Sequence, residues 1–192
     1  MSFALHDDIA PELYPISWLL GTWRGFGRLG YTSIEERSIL NEITFDHDGG
    51  PYFRATSTMW EVEGEPARDV SHETPGREGY AAFRKGTQWS TETQYWRPVE
   101  SHATDAATRV ELEVLVADPA GHLILYVGAA QGPRIDLATD TVIAAPSSEE
   151  LSGGHMMYGL VASDLLWVKE LAAFGHPLGA YASARLSRVE NA

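Results

Sequence analysis

A chain of 192 residues, 44% hydrophobic and 21% charged, suits one folded domain rather than a disordered tail. Its formal net charge of -13 argues against nucleic acid or anionic lipid as partners, since both require basic surface. With no cysteine there is neither a disulfide frame nor a thiolate nucleophile.

Residues 1–10 include His6, Asp7 and Asp8 and lack the basic-then-apolar pattern of a secretory signal. No apolar run nears the ~20 residues of a membrane-spanning helix. The expectation is a soluble cytoplasmic protein with no membrane partner. Residues 11–20 read as one or two helical turns limited by Pro15, placed to plug one end of a barrel.

Next comes Gly21-Thr22-Trp23-Arg24-Gly25-Phe26-Gly27, a G-x-W-x-G-x-G pattern opening a first strand over 21–29. Trp23 offers a large ring to cover a barrel end, and Gly21, Gly25 and Gly27 permit close backbone approach. Gly25, Gly27 and Gly30 also match G-x-G-x-x-G. A dinucleotide site needs a strand before that pattern and a helix opening inside it, and neither is present.

Residues 34–45 form a second strand whose two faces both mix polar and apolar side chains, as a partly polar lumen requires. Asp48-Gly49-Gly50-Pro51 is a turn, and 52–62 its hairpin partner, with Tyr52, Thr56, Thr58, Trp60 and Val62 on one side. Residues 67–79 are polar and read as a surface excursion. Strand candidates follow at 80–83 and 88–97, split by Lys85-Gly86, then a polar connection over 98–107. Residues 110–116 alternate, Val110, Leu112, Val114 and Val116 against Glu111 and Glu113. After the turn Asp118-Pro119-Ala120-Gly121, further strands fall at 122–127 and 135–144, with a polar loop over 146–154. A hairpin at 156–161 and 165–172 turns on Ala162-Ser163-Asp164. Residues 165–174 suit a helix equally well by periodicity. Pro177 is placed to start a short terminal helix. The sum is an all-β, closed antiparallel barrel of about ten strands with short terminal helices.

The residues carry little catalytic signal. Seven histidines are scattered with no metal-ligand spacing, no G-x-S-x-G elbow exists, and no carboxylate pair stands out, so no catalytic residue and no metal ligand is assigned. Six Trp, eight Tyr and six Phe can instead line a ligand cavity or fill the core.

Leu19-Leu20-Gly21-Thr22-Trp23-Arg24-Gly25-Phe26-Gly27 and Glu42-Ile43-Thr44-Phe45 resemble the nitrobindin family. So do Glu92-Thr93-Gln94-Tyr95-Trp96-Arg97-Pro98 and the ending Leu171-Ala172-Ala173-Phe174-Gly175-His176-Pro177-Leu178. The resemblance implies a single nitrobindin-like domain over 1–192, lipocalin- and fatty-acid-binding-protein-like, with an insertion at about 67–88. It further implies heme b near one barrel end, nitric oxide binding and peroxynitrite isomerisation. The family's axial histidine follows the Pro-Leu pair by a few residues. That position falls on Tyr181 here, while His176 stands five residues earlier, directly before Pro177.

Three readings follow. The first is a barrel that holds a small apolar molecule, with no cofactor expected because the heme ligand is absent. The second is a ferric heme protein in which Tyr181 ligates iron as phenolate, aided by Arg185 one helical turn on, acting on nitric oxide or peroxynitrite. The third is a filled interaction domain. The oligomeric state stays open, a homodimer included.

Overall fold

The computed structural model describes residues 9–103 and 108–190. Expectations for residues 1–8, the connection at 104–107 and the side chain of His102 lie outside them. A 3₁₀ helix, Pro11–Leu19, precedes ten strands: β1 Gly21–Tyr31, β2 Ile34–Asp46, β3 Phe53–Glu63, β4 Arg84–Ala103, β5 Thr108–Ala117, β6 His122–Gln131, β7 Arg134–Ala144, β8 Leu151–Val161, β9 Asp164–Ala173 and β10 Gly179–Arg188. A short helix, α1 Gly76–Ala82, lies between β3 and β4. Each strand pairs antiparallel with its chain neighbour, and β1 pairs with β10, closing the barrel.

The closing seam runs from Trp23 opposite Arg188 to Leu29 opposite Ala182. A Cβ on Gly25 would overlap the Arg185 carbonyl, and one on Gly27 the Ser183 carbonyl. These two positions therefore accept only glycine at this backbone separation. Gly30 lies in the same strand, so the G-x-G-x-x-G spacing opens no helix.

One barrel end is sealed. Leu13, Ile16 and Leu19 of the 3₁₀ helix are fully buried, and Trp23 is 1% exposed beneath them. The Trp23 indole N–H donates to the Leu19 carbonyl at 2.7 Å, and the Arg188 guanidinium lies 4.2 Å from its ring. Phe45, Trp96 and Tyr158 stack edge-on above, with centroids 5.5 and 5.2 Å apart. This half of the lumen is packed with rings and aliphatic side chains, the arrangement that stabilises most per unit area.

Several local expectations are corrected. Residues 179–188 form a strand, not a terminal helix, because Ala182, Ala184 and Leu186 alternate inward and both edges are hydrogen-bonded. Residues 164–173 are likewise strand. Ala162 and Ser163 take positive φ of 51° and 70°, the two-residue turn whose twist matches a hairpin. Residues 80–82 belong to α1 rather than to a strand. β4 runs unbroken through Lys85-Gly86 and on to Ala103, with irregular pairing to β3 around Trp60 absorbing the change. β8 begins at Leu151, inside the expected loop. In β3 the buried face is Phe53, Ala55 and Met59, so the aromatic and β-branched side holding Trp60 faces outward, where the Lys85 ammonium sits 3.4 Å from the Trp60 ring.

Among the described residues no helix is long and apolar enough to cross a membrane.

Candidate functional site

The end opposite Trp23 is built from different chemistry. Here β1 finishes at Tyr31, whose hydroxyl lies 3.0 Å from both the Leu171 and the Pro177 carbonyls and ties the β9–β10 loop over the rim. On β9, Leu165, Trp167, Lys169, Leu171 and Ala173 are buried in alternation, so Lys169 points into the lumen. Its ammonium meets the Glu92 carboxylate of β4 at 2.5 Å, with both side chains largely shielded. Burial alone would lower the Lys169 ammonium, but the Glu92 charge outweighs it and holds the ammonium above its ordinary value.

The pair is wired downward. Gln94 Nε2 donates to the second Glu92 oxygen at 3.0 Å, and Trp96 Nε1 donates to Gln94 Oε1 at 2.8 Å. Across the lumen Trp167 Nε1 donates to Asn41 Oδ1 at 2.9 Å, and Asn41 Nδ2 donates to the Thr58 carbonyl. Glu92, Gln94, Trp96, Asn41 and Trp167 thereby each gain a partner, as burial demands.

Tyr181 reaches this end through a bulge. Pairing between β10 and β9 steps from Ala180–Glu170 to Ala182–Lys169, leaving Tyr181 as the extra residue. Strict alternation would put it on the outer face with Ser183 and Arg185. The bulge re-aims it inward, where it packs half-buried against the core. Its hydroxyl accepts a hydrogen bond from Trp89 Nε1 at 2.8 Å, and the Arg37 guanidinium lies 5.1 Å from the Trp89 ring. Burial pushes the Tyr181 phenol above the ordinary tyrosine value. The Trp89 N–H and the Lys169 ammonium pull the other way without reversing it.

Arg185 is not beside Tyr181. In strand geometry it projects from the outer wall, where Nε donates to Asp164 at 2.6 Å and Nη1 donates to the carbonyls of His72 and Glu73. The helical-turn argument for it as a helper cation is overturned, and Lys169 is the cation whose charge reaches Tyr181. Among the described histidines, His122 faces inward at the top of β6, but its ring nitrogens meet Asp118 at 3.2 Å and the Glu149 carbonyl at 2.9 Å. His155 pairs with Glu170 at 3.4 Å on the outer wall, and His176 packs edge-on against Tyr31 at the rim, 6.1 Å between ring centroids. Among the described residues no cluster of metal-ligating side chains occurs.

Of the motif residues, Trp23, Gly25 and Gly27 lie at the sealed end and along the seam, away from Tyr181. Sequence reasoning missed Lys169, Trp89 and Arg188. For Lys169 the signal was present, a single charge on the apolar face of an alternating strand.

A family described as the THAP4-like, heme-binding beta-barrel domain matches residues 12–188. A ferric nitrobindin-like protein of Beutenbergia cavernae is 42% identical, the match covering 98% of this chain and all of that one. A peroxynitrite isomerase of Kocuria rhizophila is 35% identical over all of this chain and 98% of its own length. The crystal structure of Rv2717c from M. tuberculosis superposes with a TM-score of 0.70 at 25% identity, covering 95% of this chain and 99% of that one. With the closed ten-stranded barrel, these matches establish that the chain belongs to the nitrobindin family of heme-binding β-barrels.

Proposed function

We propose that this nitrobindin-family barrel, a single domain, binds a small, largely apolar molecule at its Tyr181 end and does not hold a histidine-ligated heme. One observation carries the reading. The residue that the resemblance places at the axial position is a tyrosine whose hydroxyl is already engaged by the Trp89 N–H at 2.8 Å.

An iron ligand there would have to be the phenolate, and burial works against that anion. The residues around Tyr181 therefore do not fit a ligated heme iron. The mixture of aromatic rings with a few fixed polar groups, Lys169–Glu92 above all, suits an apolar ligand oriented by one polar contact. The soluble, membrane-free behaviour expected from the sequence accords with this role.

A second reading keeps heme, and with it the nitric oxide binding that the resemblance implies and the peroxynitrite chemistry in the names of several relatives. It is favoured by Lys169, whose positive charge lowers the cost of a Tyr181 phenolate.

Hemin titration followed by absorption separates the two. The expected result is a colourless purified protein that takes up hemin weakly and without saturation. Tight one-to-one uptake abolished by Tyr181→Phe would establish tyrosine ligation instead. Tight uptake indifferent to Tyr181→Phe but lost in His176→Ala would move the iron to the rim loop.

A further inference from the structure

The excursion between β3 and β4 does more than cross the surface. It is pinned to the outer wall by one carboxylate. Asp164, 6% exposed, accepts from the Gly76 N–H at 3.2 Å, Arg185 Nε at 2.6 Å and Ser187 Oγ at 2.6 Å. Ser187 Oγ in turn accepts from the Arg77 N–H at 2.9 Å. Gly79 sits so close to the Phe26 ring that a Cβ would overlap it.

Pinned in this way, residues 67–83 roof a pocket of about 510 Å³ against β1, β9 and β10, outside the lumen. Its walls are Phe26, Val70, Phe83, Leu166 and Val168, and the small Ser183 side chain keeps its floor clear. Two cations line it. Arg185 spends Nε and Nη1 on Asp164 and two carbonyls, and no partner meets its Nη2 among the described residues. Arg28 stands at the lip with its side chain 72% exposed, paired at 2.6 Å with the equally exposed Glu36 carboxylate.

We propose that this outer pocket is a second ligand site, independent of the lumen, for a small aromatic or branched apolar molecule bearing one anionic group. The volume falls within the range that encloses small molecules. The strands beneath the pocket, β1, β9 and β10, are each paired on both sides, which leaves no free edge there on which a peptide could add. In a chain of net charge -13, two arginines lining an apolar pocket select for an anion. Glu36 occupies Arg28 as a tethered carboxylate would. Because an exposed pair is weak, an incoming anion can displace it.

The test uses two fluorescent probes on the full chain: anilinonaphthalene sulfonate, which is aromatic and anionic, and phenylnaphthylamine, its uncharged counterpart. The expected result is saturable one-to-one binding of the sulfonate. Ser183→Trp, which fills the pocket from the outer wall, weakens it at least about tenfold with circular dichroism unchanged. Val168→Trp is the second filling variant if Ser183→Trp does not fold. Arg28→Glu weakens the sulfonate about tenfold and the neutral probe less than about twofold. Binding that survives both filling variants overturns the site, as does binding lost in Trp89→Ala, which would place the probe in the lumen. Equal weakening of both probes by Arg28→Glu overturns the anion. Hemin uptake plays no part in any of these outcomes, so this site and the lumen reading stand or fall separately.

Discussion

Trp89 and Tyr181, 92 residues apart in the chain, meet across the barrel mouth at 2.8 Å, the indole donating to the phenol. Tyr181→Phe keeps the ring and removes the acceptor, leaving a half-buried N–H without its partner. Urea unfolding should show a loss of about 1–2 kcal/mol. No loss would mean that water already serves the indole and that the contact does not order the mouth.

Burial also raises the phenols of Tyr126 and Tyr158 in the same lumen. A tyrosine whose folded value lies above its unfolded value of about 10 binds its proton more tightly when folded. The stability from Tyr126, Tyr158 and Tyr181 is thus fully present below about pH 10 and is lost as pH rises beyond it. Ultraviolet titration of the native protein should show tyrosinate forming in two stages, the late stage reduced by Tyr181→Phe. A single stage near pH 10 for all eight tyrosines would contradict the lumen placement.

Lys169→Met strands the Glu92 carboxylate in a shielded site and should cost about 3–5 kcal/mol, whereas pairing it with Glu92→Leu should recover most of that. The double-mutant cycle is read by urea unfolding. Equal losses in the single and double variants would show that Glu92 finds water or another cation.

Trp23→Ala removes a ring that is 1% exposed, roofed by the 3₁₀ helix and stacked under Arg188. The expected destabilisation is about 3–5 kcal/mol, measured by thermal and urea unfolding. A loss under about 1 kcal/mol would mean the sealed end repacks freely.

Asp164→Ala leaves the Gly76 amide, the Arg185 guanidinium and the Ser187 hydroxyl without their common acceptor. Limited proteolysis should then cut within residues 67–83 several times faster than in the parent, and stability should drop by about 1–3 kcal/mol. Unchanged cleavage would show that apolar contacts alone hold the excursion.

How much of this was legible in the sequence differs by element. Residues 110–116 announce their strand because every second residue is valine or leucine and the lumen face is wholly apolar. Trp23 announces a barrel end through its flanking glycines. Tyr181 could not be read that way, since period-two counting sends it outward with Ser183 and Arg185, and only the bulge after Ala180 turns it in. A bulge is set by pairing with a distant strand, which local sequence does not encode. The same limit explains α1. A Gly-Arg-Glu-Gly-Tyr stretch has poor helix propensity, and it forms because Asp164, far along the chain, captures its first amide.

The glycine-lined seam gives the barrel a biosynthetic order. Nine of its ten strand pairings join chain neighbours, and the tenth joins β1 to β10. Before β10 emerges during synthesis, the eight hairpins from β1–β2 to β8–β9 can form in sequence, yet the first strand keeps an unpaired, aggregation-prone edge. Joining Trp23 to Arg188 then requires the longest loop closure among the strand pairings, which can begin only once β10 has emerged. Gly25 and Gly27 thus matter twice, as room for two backbones and as a low steric barrier at the last step of folding.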